Sequence, residues 1–500
     1  MHRAATPHGA APGRDLLPTN KRQRRGRRWR AGMRSSGAIA AILGILTLWS
    51  TCQAADFTCP AGDVACLINA INAANMNGKK NTITLAAGTY TLTEVDDITD
   101  GPNGLPAITS ALIITGMGAV ATTIERLGPR FRLVHVAATG SLTLQEVTVQ
   151  GFSLPLVPTA AGGGIRNDGT LTIINSALNR NEANFGGGIF NEGSVTITNS
   201  SLSRNRGFSN GQGGGIYNSA GGTVVLSEST LSFNGAGHGA AAVLNAGTAT
   251  IVDSTIVSHQ GGDALASNAP IVNGGTLTIM NSTLSGNHGT QNAAGAIDNL
   301  GTLTITDSSL SGNSGGAAGA IHNFDFGTLT ISNSTLSGNI STLRRLHAGA
   351  ITNDGTLTIT NSTLADNVAC VGGILSAPDT SVVEVQNTIL ARNVVRALSC
   401  PNGVTGAPDC LGLVNSLDNN LIGDPTGCTI TLLPHDLTGD PGLDTFTDDG
   451  TSGNGHYPLL PTSQAIDAGE KRVCPKRDQI GQKRHRPSCD IGAIEFPDRP

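Results

Sequence analysis

Two acidic side chains stand at equivalent places in neighbouring copies of a repeated motif. They are Asp168 and Glu192, each followed by a glycine in a predicted turn. Carboxylates on adjacent turns of a fold can act as general acid and general base in the hydrolysis of a sugar chain. The next copies carry other residues at this position: Ser219, Ala246 and Gly274. Because the acidic column ends there, the sequence predicts solvated turn residues rather than a catalytic pair.

Basic side chains offer the complementary chemistry, since a lyase needs a base that removes a proton next to a uronic carboxylate. Arg344, Arg345 and His347 form an unusual basic group beside one copy, and their setting predicts an exposed loop. His238 and His259 are isolated. The sequence contains no nucleophile elbow, histidine-rich metal motif or phosphate loop. We therefore assign no catalytic or cofactor-binding residue.

An acidic segment, DLTGDPGLDTFTDDG at residues 436–450, is the candidate for a metal site. Its carboxylates are the oxygen ligands that calcium prefers. The segment lacks the EF-hand spacing and the glycine-rich calcium repeat. We assign no metal ligand and no cofactor, and calcium is the ion that this segment could hold.

Aromatic residues are scarce in the chain that follows residue 54. It has eleven phenylalanines and three tyrosines, Tyr90, Tyr217 and Tyr457, while both tryptophans precede it. Sugar rings usually pack on the apolar faces of aromatic side chains. This composition argues against a dedicated saccharide cleft.

The first 54 residues have the composition of a secretory signal. Basic residues precede an apolar run of 13 residues, Gly37 to Trp49, which is shorter than the roughly 20 residues that span a membrane. We predict cleavage after Ala54, a mature chain without a transmembrane segment, and a location outside the cell or on its surface.

Removal of this leader changes the charge of the protein. The mature chain keeps 21 of the 31 Lys and Arg residues and 35 of the 36 acids, a net charge of about −14. So acidic a surface repels phosphate backbones, which argues against nucleic-acid partners.

Eight cysteines follow the leader, and an even number in an exported chain favours disulfides. Seven of them lie outside the repeats, so we expect the disulfides to close the ends of the molecule. The close pairs Cys59 with Cys66 and Cys474 with Cys489 are the preferred ones. The full set of candidates is Cys59, Cys66, Cys400, Cys410, Cys474 and Cys489.

A repeat of 24 to 29 residues positions all of these side chains. Its copies align on a dipeptide that follows each β-like run: Asn175-Ser176, Asn199-Ser200, Glu228-Ser229, Asp253-Ser254, Asn281-Ser282, Asp307-Ser308, Asn333-Ser334, Asn361-Ser362 and Asn387-Thr388. Such a period is typical of a solenoid, whose units bury their apolar side only by stacking. In GTLTITNSTLADN, residues 355–367, Leu357 and Ile359 alternate with threonines, the pattern of a strand with one buried face.

Three short strands per copy predict an all-β fold, a single-stranded right-handed parallel β-helix of 10 to 12 coils. A recurrent asparagine is expected to stack in one column, each amide bonding to the next. The column comprises Asn167, Asn191, Asn218, Asn245, Asn273, Asn299, Asn323 and Asn353. A leucine-rich repeat is the alternative, but its asparagine falls one residue later and its convex helix has no counterpart here.

The ends of the chain resemble known modules. Asp63 and the apolar residues after it predict a capping helix over 64–75, and Cys66 to Asn75 followed by a strand ending GTYTLT resembles the bacterial secreted proteins named for a CSLREA motif, without that motif's Arg and Glu. Residues 459–496, with AIDAG and CDIGAIEF, resemble the choice-of-anchor Q domain. The GGGI units resemble, more loosely, the repeats of polymorphic outer-membrane proteins.

These resemblances imply the fold of pectate lyases. The predicted boundaries are 1–54 for the signal, 55–80 for the CSLREA-like cap, 81–395 for the repeats and 396–500 for a disulfide-stapled C-terminal region that resembles the choice-of-anchor Q domain. They imply an exported surface protein with a structural or adhesin-like role and an unknown partner, a polysaccharide or another surface component. The alternative is a polysaccharide lyase or glycoside hydrolase of the same fold. Carboxylates from neighbouring coils that converge within about 6 Å beside a basic residue would favour the enzyme.

Overall fold

The computed structural model describes residues 54–260, 269–377, 380–396, 400–401, 406–485 and 488–497. The predicted leader lies outside these residues except for Ala54. The chain forms a right-handed parallel β-helix of about 12 coils. Each regular coil adds one strand to sheet 1, one to sheet 2 and one to sheet 3, in that order. No helix among the described residues is long and apolar enough to cross a membrane.

Sheet 1 consists of short strands: Val134–Val136, Ile165–Asn167, Ile189–Asn191, Ile216–Asn218, Val243–Asn245, Ile271–Asn273, Ile297–Asn299, Ile321–Asn323, Ile351–Asn353, Ile374–Ser376, Cys410–Leu413 and Cys428–Thr429. Sheet 2 consists of Asp56–Cys59, Asn81–Leu85, Ala111–Thr115, Ser141–Gln145, Thr170–Ile174, Ser194–Thr198, Thr223–Ser227, Thr248–Val252, Thr276–Met280, Thr302–Thr306, Thr328–Ser332, Thr356–Thr360, Val382–Gln386 and Asn415–Ser416.

Sheet 3 consists of Gly88–Leu92, Thr122–Arg126, Thr148–Gln150, Ala177–Asn179, Ser201–Ser203, Thr230–Ser232, Thr255–Val257, Thr283–Ser285, Ser309–Ser311, Thr335–Ser337, Thr363–Ala365, Ile389–Ala391, Leu421–Ile422 and Leu437–Thr438. Two small sheets lie between sheets 3 and 1. One pairs Glu182–Phe185 with Arg206–Gln212, and the other joins Ser314–Gly315, Ile340–Ser341, Val368–Ala369 and Val394–Val395.

The core is a set of aliphatic columns that run along the rod. In sheet 2, Leu329 pairs in register with Leu357 and Ile331 with Ile359, and all four are fully buried. The residues between them point outward, because side chains alternate across a strand. Burial of each such leucine or isoleucine stabilises the fold by about 2 kcal/mol.

The turn between sheets 2 and 3 explains the repeated dipeptide. Its first residue has a positive φ in each copy, for example 48° at Asn175 and 43° at Asn281, a conformation that asparagine tolerates better than most residues. The serine after it links neighbouring coils, since the Ser176 N–H donates to Ser200 Oγ at 3.1 Å.

The recurrent asparagines at the end of each sheet 1 strand form a buried column, which we call the first asparagine ladder. Asn167 Nδ2 donates to Asn191 Oδ1 at 2.7 Å, and the same bond is repeated along the column as far as Asn353. Each member is fully buried. An amide is both donor and acceptor, so an asparagine satisfies its neighbours above and below.

A second buried column, absent from the sequence prediction, lies just after sheet 3 and is called the second asparagine ladder. Its members are Asn181, Asn205, Asn234, His259, Asn287, Asn313, Asn339, Asn367 and Asn393. His259, which appears isolated in the sequence, replaces an asparagine. Its Nδ1 accepts from the Asn234 N–H at 3.1 Å, and its Nε2 lies 3.1 Å from the Leu231 carbonyl oxygen. The ring thus supplies one acceptor and one donor, as an amide does.

The N-terminal end of the rod is closed by one helix, Val64–Asn77. Its N-cap is Asp63, whose carboxylate accepts from the Cys66 N–H at 2.8 Å. The helix extends two residues beyond the predicted end and stops at Gly78, whose φ of 61° suits glycine. The buried side chains are Leu67, Ala70, Ile71 and Ala74, and the partly buried Ile68 packs against the same core.

Four disulfides are present, and they join Cys59 to Cys66, Cys370 to Cys400, Cys410 to Cys428 and Cys474 to Cys489. The two sequence candidates without a stated partner, Cys400 and Cys410, therefore pair with Cys370 and Cys428. The last disulfide lies on the side of the rod, since Asn387 Nδ2 is 3.8 Å from Cys489 Sγ. The expectation that the staples sit only on the ends is wrong for this one.

The C-terminal region from residue 439 folds back over the outer face of sheet 3. The Gly453 N–H donates to Thr283 Oγ1 at 2.8 Å, and the Ala493 N–H donates to Thr363 Oγ1 at 3.1 Å. These outward threonines are consequently buried, whereas Thr230 in an uncovered coil is exposed. Inside this region Arg484 Nη1 and Glu495 Oε2 form a buried ion pair at 3.1 Å.

We predict that Leu357→Asp lowers the free energy of unfolding by roughly 4 kcal/mol or more, because it places a carboxylate among stacked aliphatic side chains. The control is Thr358→Asp, which adds the same charge at the next, outward position. Thermal and denaturant melts compare the two. Equal melts of both variants would contradict the inward assignment of Leu357.

A second prediction concerns acid stability. Burial lowers the pKa of His259 to about 4, against about 6.5 in an unfolded chain. Between these values protons bind the unfolded chain preferentially, so stability present above pH 6.5 is lost as the pH falls toward 4. His259→Asn keeps an acceptor and a donor but cannot titrate. We expect the variant to gain about 3 kcal/mol relative to wild type over this window. If the stability of wild type and of His259→Asn changed with pH in the same way, the prediction would be contradicted.

Candidate functional site

The outer face of sheet 1 collects side chains that can do chemistry. The ten strands of sheet 1 from Val134–Val136 to Ile374–Ser376 have three residues each, so only the middle one points away from the core. In successive coils these middle residues are in register, in the order His135, Arg166, Phe190 and Tyr217. Residues 24 to 31 positions apart in sequence therefore lie roughly 5 Å apart along the rod.

At the N-terminal end of this face, six side chains form what we call the charged cluster: Asp100, Arg132, His135, Arg166, Asp168 and Glu192. His135 is its centre and is almost fully buried. His135 Nε2 lies 2.9 Å from Asp168 Oδ2, and His135 Nδ1 lies 3.3 Å from Asp100 Oδ2. One ligand atom from each of these three residues lies within 4.8 Å of the others.

The acids come from different coils. Asp100 sits in the loop that leads from Gly88–Leu92 to Ala111–Thr115, and its φ is 57°. Asp168 follows the strand Ile165–Asn167, two coils later in the rod. Two carboxylates thus converge beside a basic residue within 4.8 Å, closer than the separation of about 6 Å that favours an enzyme.

Two arginines complete the charged cluster. Arg166 joins the two acids singled out in the sequence, because its Nε lies 3.1 Å from Asp168 Oδ1 and its Nη2 lies 3.0 Å from Glu192 Oε2. Arg132 is buried, and its Nη1 donates to the Asp100 carbonyl oxygen at 2.9 Å. Burial, assisted by the charge of Arg166, lowers the pKa of Arg132 to about 10. Asp168 and Glu192 are therefore members of an ion-pair network and not merely solvated turn residues.

A cavity of about 310 Å³ opens beside the charged cluster. Asp100, Arg132 and Arg166 line it on one side, and Leu154, Pro155 and Ala160 line the other. Two guanidinium groups and one half-exposed carboxylate are consequently within reach of a ligand in this cavity.

An aromatic patch continues the same face. Phe190 and Tyr217 stack with ring centroids 5.2 Å apart, and Phe185 meets Tyr217 edge-on at 5.4 Å. The Arg166 guanidinium lies 5.5 Å from the Phe190 ring centroid. Three of the fourteen aromatic residues that follow the leader thus lie together beside the charged cluster, so the overall scarcity of aromatic residues is a poor guide to the site. Composition contains no signal for this, but the register of the repeat does.

A divalent metal could be held by Asp100, His135 and Asp168. Carboxylate oxygen and imidazole nitrogen together suit zinc or manganese better than calcium, which prefers oxygen ligands alone. Among the described residues this is the only group of three or more His, Cys, Asp or Glu side chains close enough for one ion. The acidic segment 436–450 instead turns carboxylates onto its own backbone, as when Asp448 Oδ1 accepts from the Gly450 N–H at 2.9 Å.

A second histidine–aspartate pair lies farther along the face. His322 Nε2 is 2.8 Å from Asp354 Oδ2, which repeats the placement of His135 and Asp168. Beside it, Asp298 is buried, and burial raises its pKa to about 7. Burial first, and His322 next, lower the pKa of His347 to about 4.

The three basic residues Arg344, Arg345 and His347 therefore do not form one exposed group. Arg344 and Arg345 are exposed, as predicted for a loop, but His347 packs inward toward the second histidine–aspartate pair. His238 takes no part in either histidine–aspartate pair. The arginines, the cavity and the aromatic patch all adjoin the first pair, which makes the charged cluster the candidate site.

No protein-family model and no curated protein matches the chain. The resemblance of its ends to CSLREA and choice-of-anchor Q modules therefore stays a prediction.

Several solved structures align with most of this chain. The PL6 family alginate lyase AlyGC matches with a TM-score of 0.36 and 11% identity over 89% of this chain, which spans 59% of the length of that protein. A PL6 alginate lyase in complex with a trisaccharide matches with a TM-score of 0.39, 12% identity and coverage of 81% and 91%. The A-module of the Azotobacter vinelandii mannuronan C-5 epimerase AlgE6 matches with a TM-score of 0.33 and 14% identity. That match covers 76% of this chain and 94% of the A-module. At such identities and TM-scores the likeness supports no conclusion about what this chain does.

Proposed function

We propose that the protein is an exported enzyme that cleaves an acidic polysaccharide by β-elimination at the charged cluster. The observation that carries this proposal is the convergence of Asp100 and Asp168 on His135, beside two arginines that line an open cavity. Four disulfides suit a protein that works outside the cell.

The arginines supply the recognition step. A guanidinium binds a carboxylate through two parallel hydrogen bonds, and Arg132 and Arg166 both face the cavity. Neutralising a uronic carboxylate makes the neighbouring C–H bond more acidic, because the carbanion that forms is then less repelled. The negative charge of that carboxylate is what a lyase must offset before the neighbouring proton can leave.

Asp100 is positioned to accept that proton. Its carboxylate lines the cavity with a side chain about half exposed, while His135 behind it is held by Asp168. The imidazole can share the proton that Asp100 receives, in the manner of a base oriented by a third group. The C–O bond to the next sugar then breaks, its oxygen takes a proton from solvent, and the new chain end carries a carbon–carbon double bond.

The aromatic patch supports sugar binding next to the reacting unit. Phe190 and Tyr217 are partly exposed aromatic side chains in the two coils after Arg166. The apolar faces of sugar rings pack on such surfaces. A chain lying along the rod would therefore meet the cluster and the patch in succession.

An adhesin-like role without turnover is the second candidate, and the outer face of sheet 2 favours it. In the eight strands from Thr170–Ile174 to Thr356–Thr360, every outward position is uncharged, and most are threonine or serine. So long and regular a face suits binding to an extended surface.

The test is turnover of polyuronates by the purified mature protein, with and without divalent ions, recording absorbance of unsaturated uronides together with new reducing ends. We expect both signals from wild type. Asp100→Asn and Arg166→Ala should each lower kcat/KM by about 100-fold or more. Arg344→Ala, which removes an exposed arginine elsewhere, is the control.

New reducing ends without the absorbance of unsaturated uronides would show that the protein cleaves the polymer by hydrolysis and not by elimination. Equal activity of Arg344→Ala and Arg166→Ala would remove the charged cluster from the mechanism. No product from any polyuronate, by a protein with a normal melt, would leave the adhesin-like role.

A further inference from the structure

The C-terminal region carries a strongly basic segment in an otherwise acidic chain. Residues 471–486 contain seven Lys and Arg residues and a single acid, Asp478. Lys471, Arg472, Lys476 and Arg477 are exposed, whereas Asp478 is buried; Arg486 lies outside the described residues. The segment is therefore positively charged, although the chain after residue 54 has a net charge of about −14.

Part of this basic segment forms one wall of a groove of about 790 Å³. Lys476 and Arg477 stand on that wall. The floor consists of the outward residues that end three neighbouring strands of sheet 2, namely Thr306, Ser332 and Thr360. These three are register partners in successive coils, so their hydroxyls repeat at about 4.8 Å along the rod.

The basic wall is fixed in place by the rod itself. Asn333 Nδ2 donates to the Arg477 carbonyl oxygen at 3.2 Å, and Asn361 Nδ2 donates to the Val473 carbonyl oxygen at 3.0 Å. Thr335 Oγ1 donates to Gln479 Oε1 at 2.6 Å. The backbone that carries Lys476 and Arg477 is thus ordered before any ligand arrives, which lowers the entropic cost of binding.

The two charges are also available. Among the described residues, no carboxylate forms an ion pair with Lys476 or Arg477, and the Arg477 Nη1 atom donates to the Gly481 carbonyl oxygen. Two carboxylates line the groove, Asp307 and the buried Asp478. Asp307 accepts from Asn333 Nδ2, and Asp478 accepts from the Gln482 and Glu495 N–H groups. Both acids are thus held by hydrogen bonds within the protein, whereas the two cations are exposed.

We propose that this groove binds an anionic polysaccharide, one chain lying parallel to the rod with its uronate or sulfate groups on Lys476 and Arg477 and its hydroxyls on the Thr306–Ser332–Thr360 row. The repeat of that row is close to the length of one sugar unit in an extended chain. The groove shares no lining residue with the cavity at the charged cluster, so the proposal does not depend on catalysis there.

The lining favours a sugar chain over the other polyanions. Nucleic-acid strands need aromatic platforms for their bases, and the described residues that line the groove include no aromatic side chain. A membrane surface would favour apolar residues that insert between lipids, whereas asparagine, threonine and serine predominate here.

The test measures binding of full-length mature protein to immobilised polygalacturonate and to a sulfated dextran. All variants carry Asp100→Asn, so that turnover does not consume the polymer. The charge-reversed variant is Lys476→Glu with Arg477→Glu. Its matched control is Lys79→Glu with Lys80→Glu, which makes the same change in net charge at two exposed lysines beside the N-terminal helix.

We expect the groove variant to bind at least one of the two polymers about tenfold more weakly than the control, with the difference vanishing at high salt. Loss on polygalacturonate alone identifies a uronate ligand, and loss on the dextran alone identifies a sulfate ligand. Without Asp100→Asn, the groove variant should still cleave short oligouronides, which separates failure of the groove from failure of the proposed enzyme. Equal binding by both variants overturns the proposal. So does preferential binding to duplex DNA or to phosphatidylglycerol vesicles.

Discussion

Everything in this molecule depends on in-register stacking of one coil on the next. A strand of three to five residues has too few hydrogen bonds and too little apolar surface to persist alone. Both are supplied by the coils above and below, but only if each position repeats its residue type. The repeat is therefore a physical requirement: Leu329 must meet Leu357, and Asn299 must meet Asn323.

The asparagine ladders show how strict this requirement is. A buried amide without a partner costs about 1 to 3 kcal/mol, so each asparagine within the column depends on the neighbours above and below it. At the start of the column the buried Asn167 Oδ1 has no partner among the described residues. Asparagine can be stacked without limit because it complements itself. His259 is accepted as a substitute since the neutral ring offers the same two functions, and that equivalence ends when the ring is protonated.

Stacking also decides where chemistry can occur. Inward positions and ladder positions are committed to the core, whereas the middle residues of sheet 1 are free to differ from coil to coil. His135, Arg166, Phe190 and Tyr217 are such residues, and the register places them in one line. The C-terminal region adds a second source of variety, because it covers sheet 3 and presents its basic segment beside the polar edge of sheet 2.

The sequence by itself determined the solenoid, the strand alternation, the first asparagine ladder and the capping helix, because each of these follows from a local pattern that recurs at a fixed period. The charged cluster could not be predicted in the same way. Asp100 lies in an irregular loop, outside the repeat, and reaches Asp168 only after two further coils have formed. Likewise Lys476 meets Thr306 only because the C-terminal region folds back over about 170 residues of chain. Contacts between a repeat and a non-repeating segment depend on three-dimensional packing, so only the tertiary structure decided them.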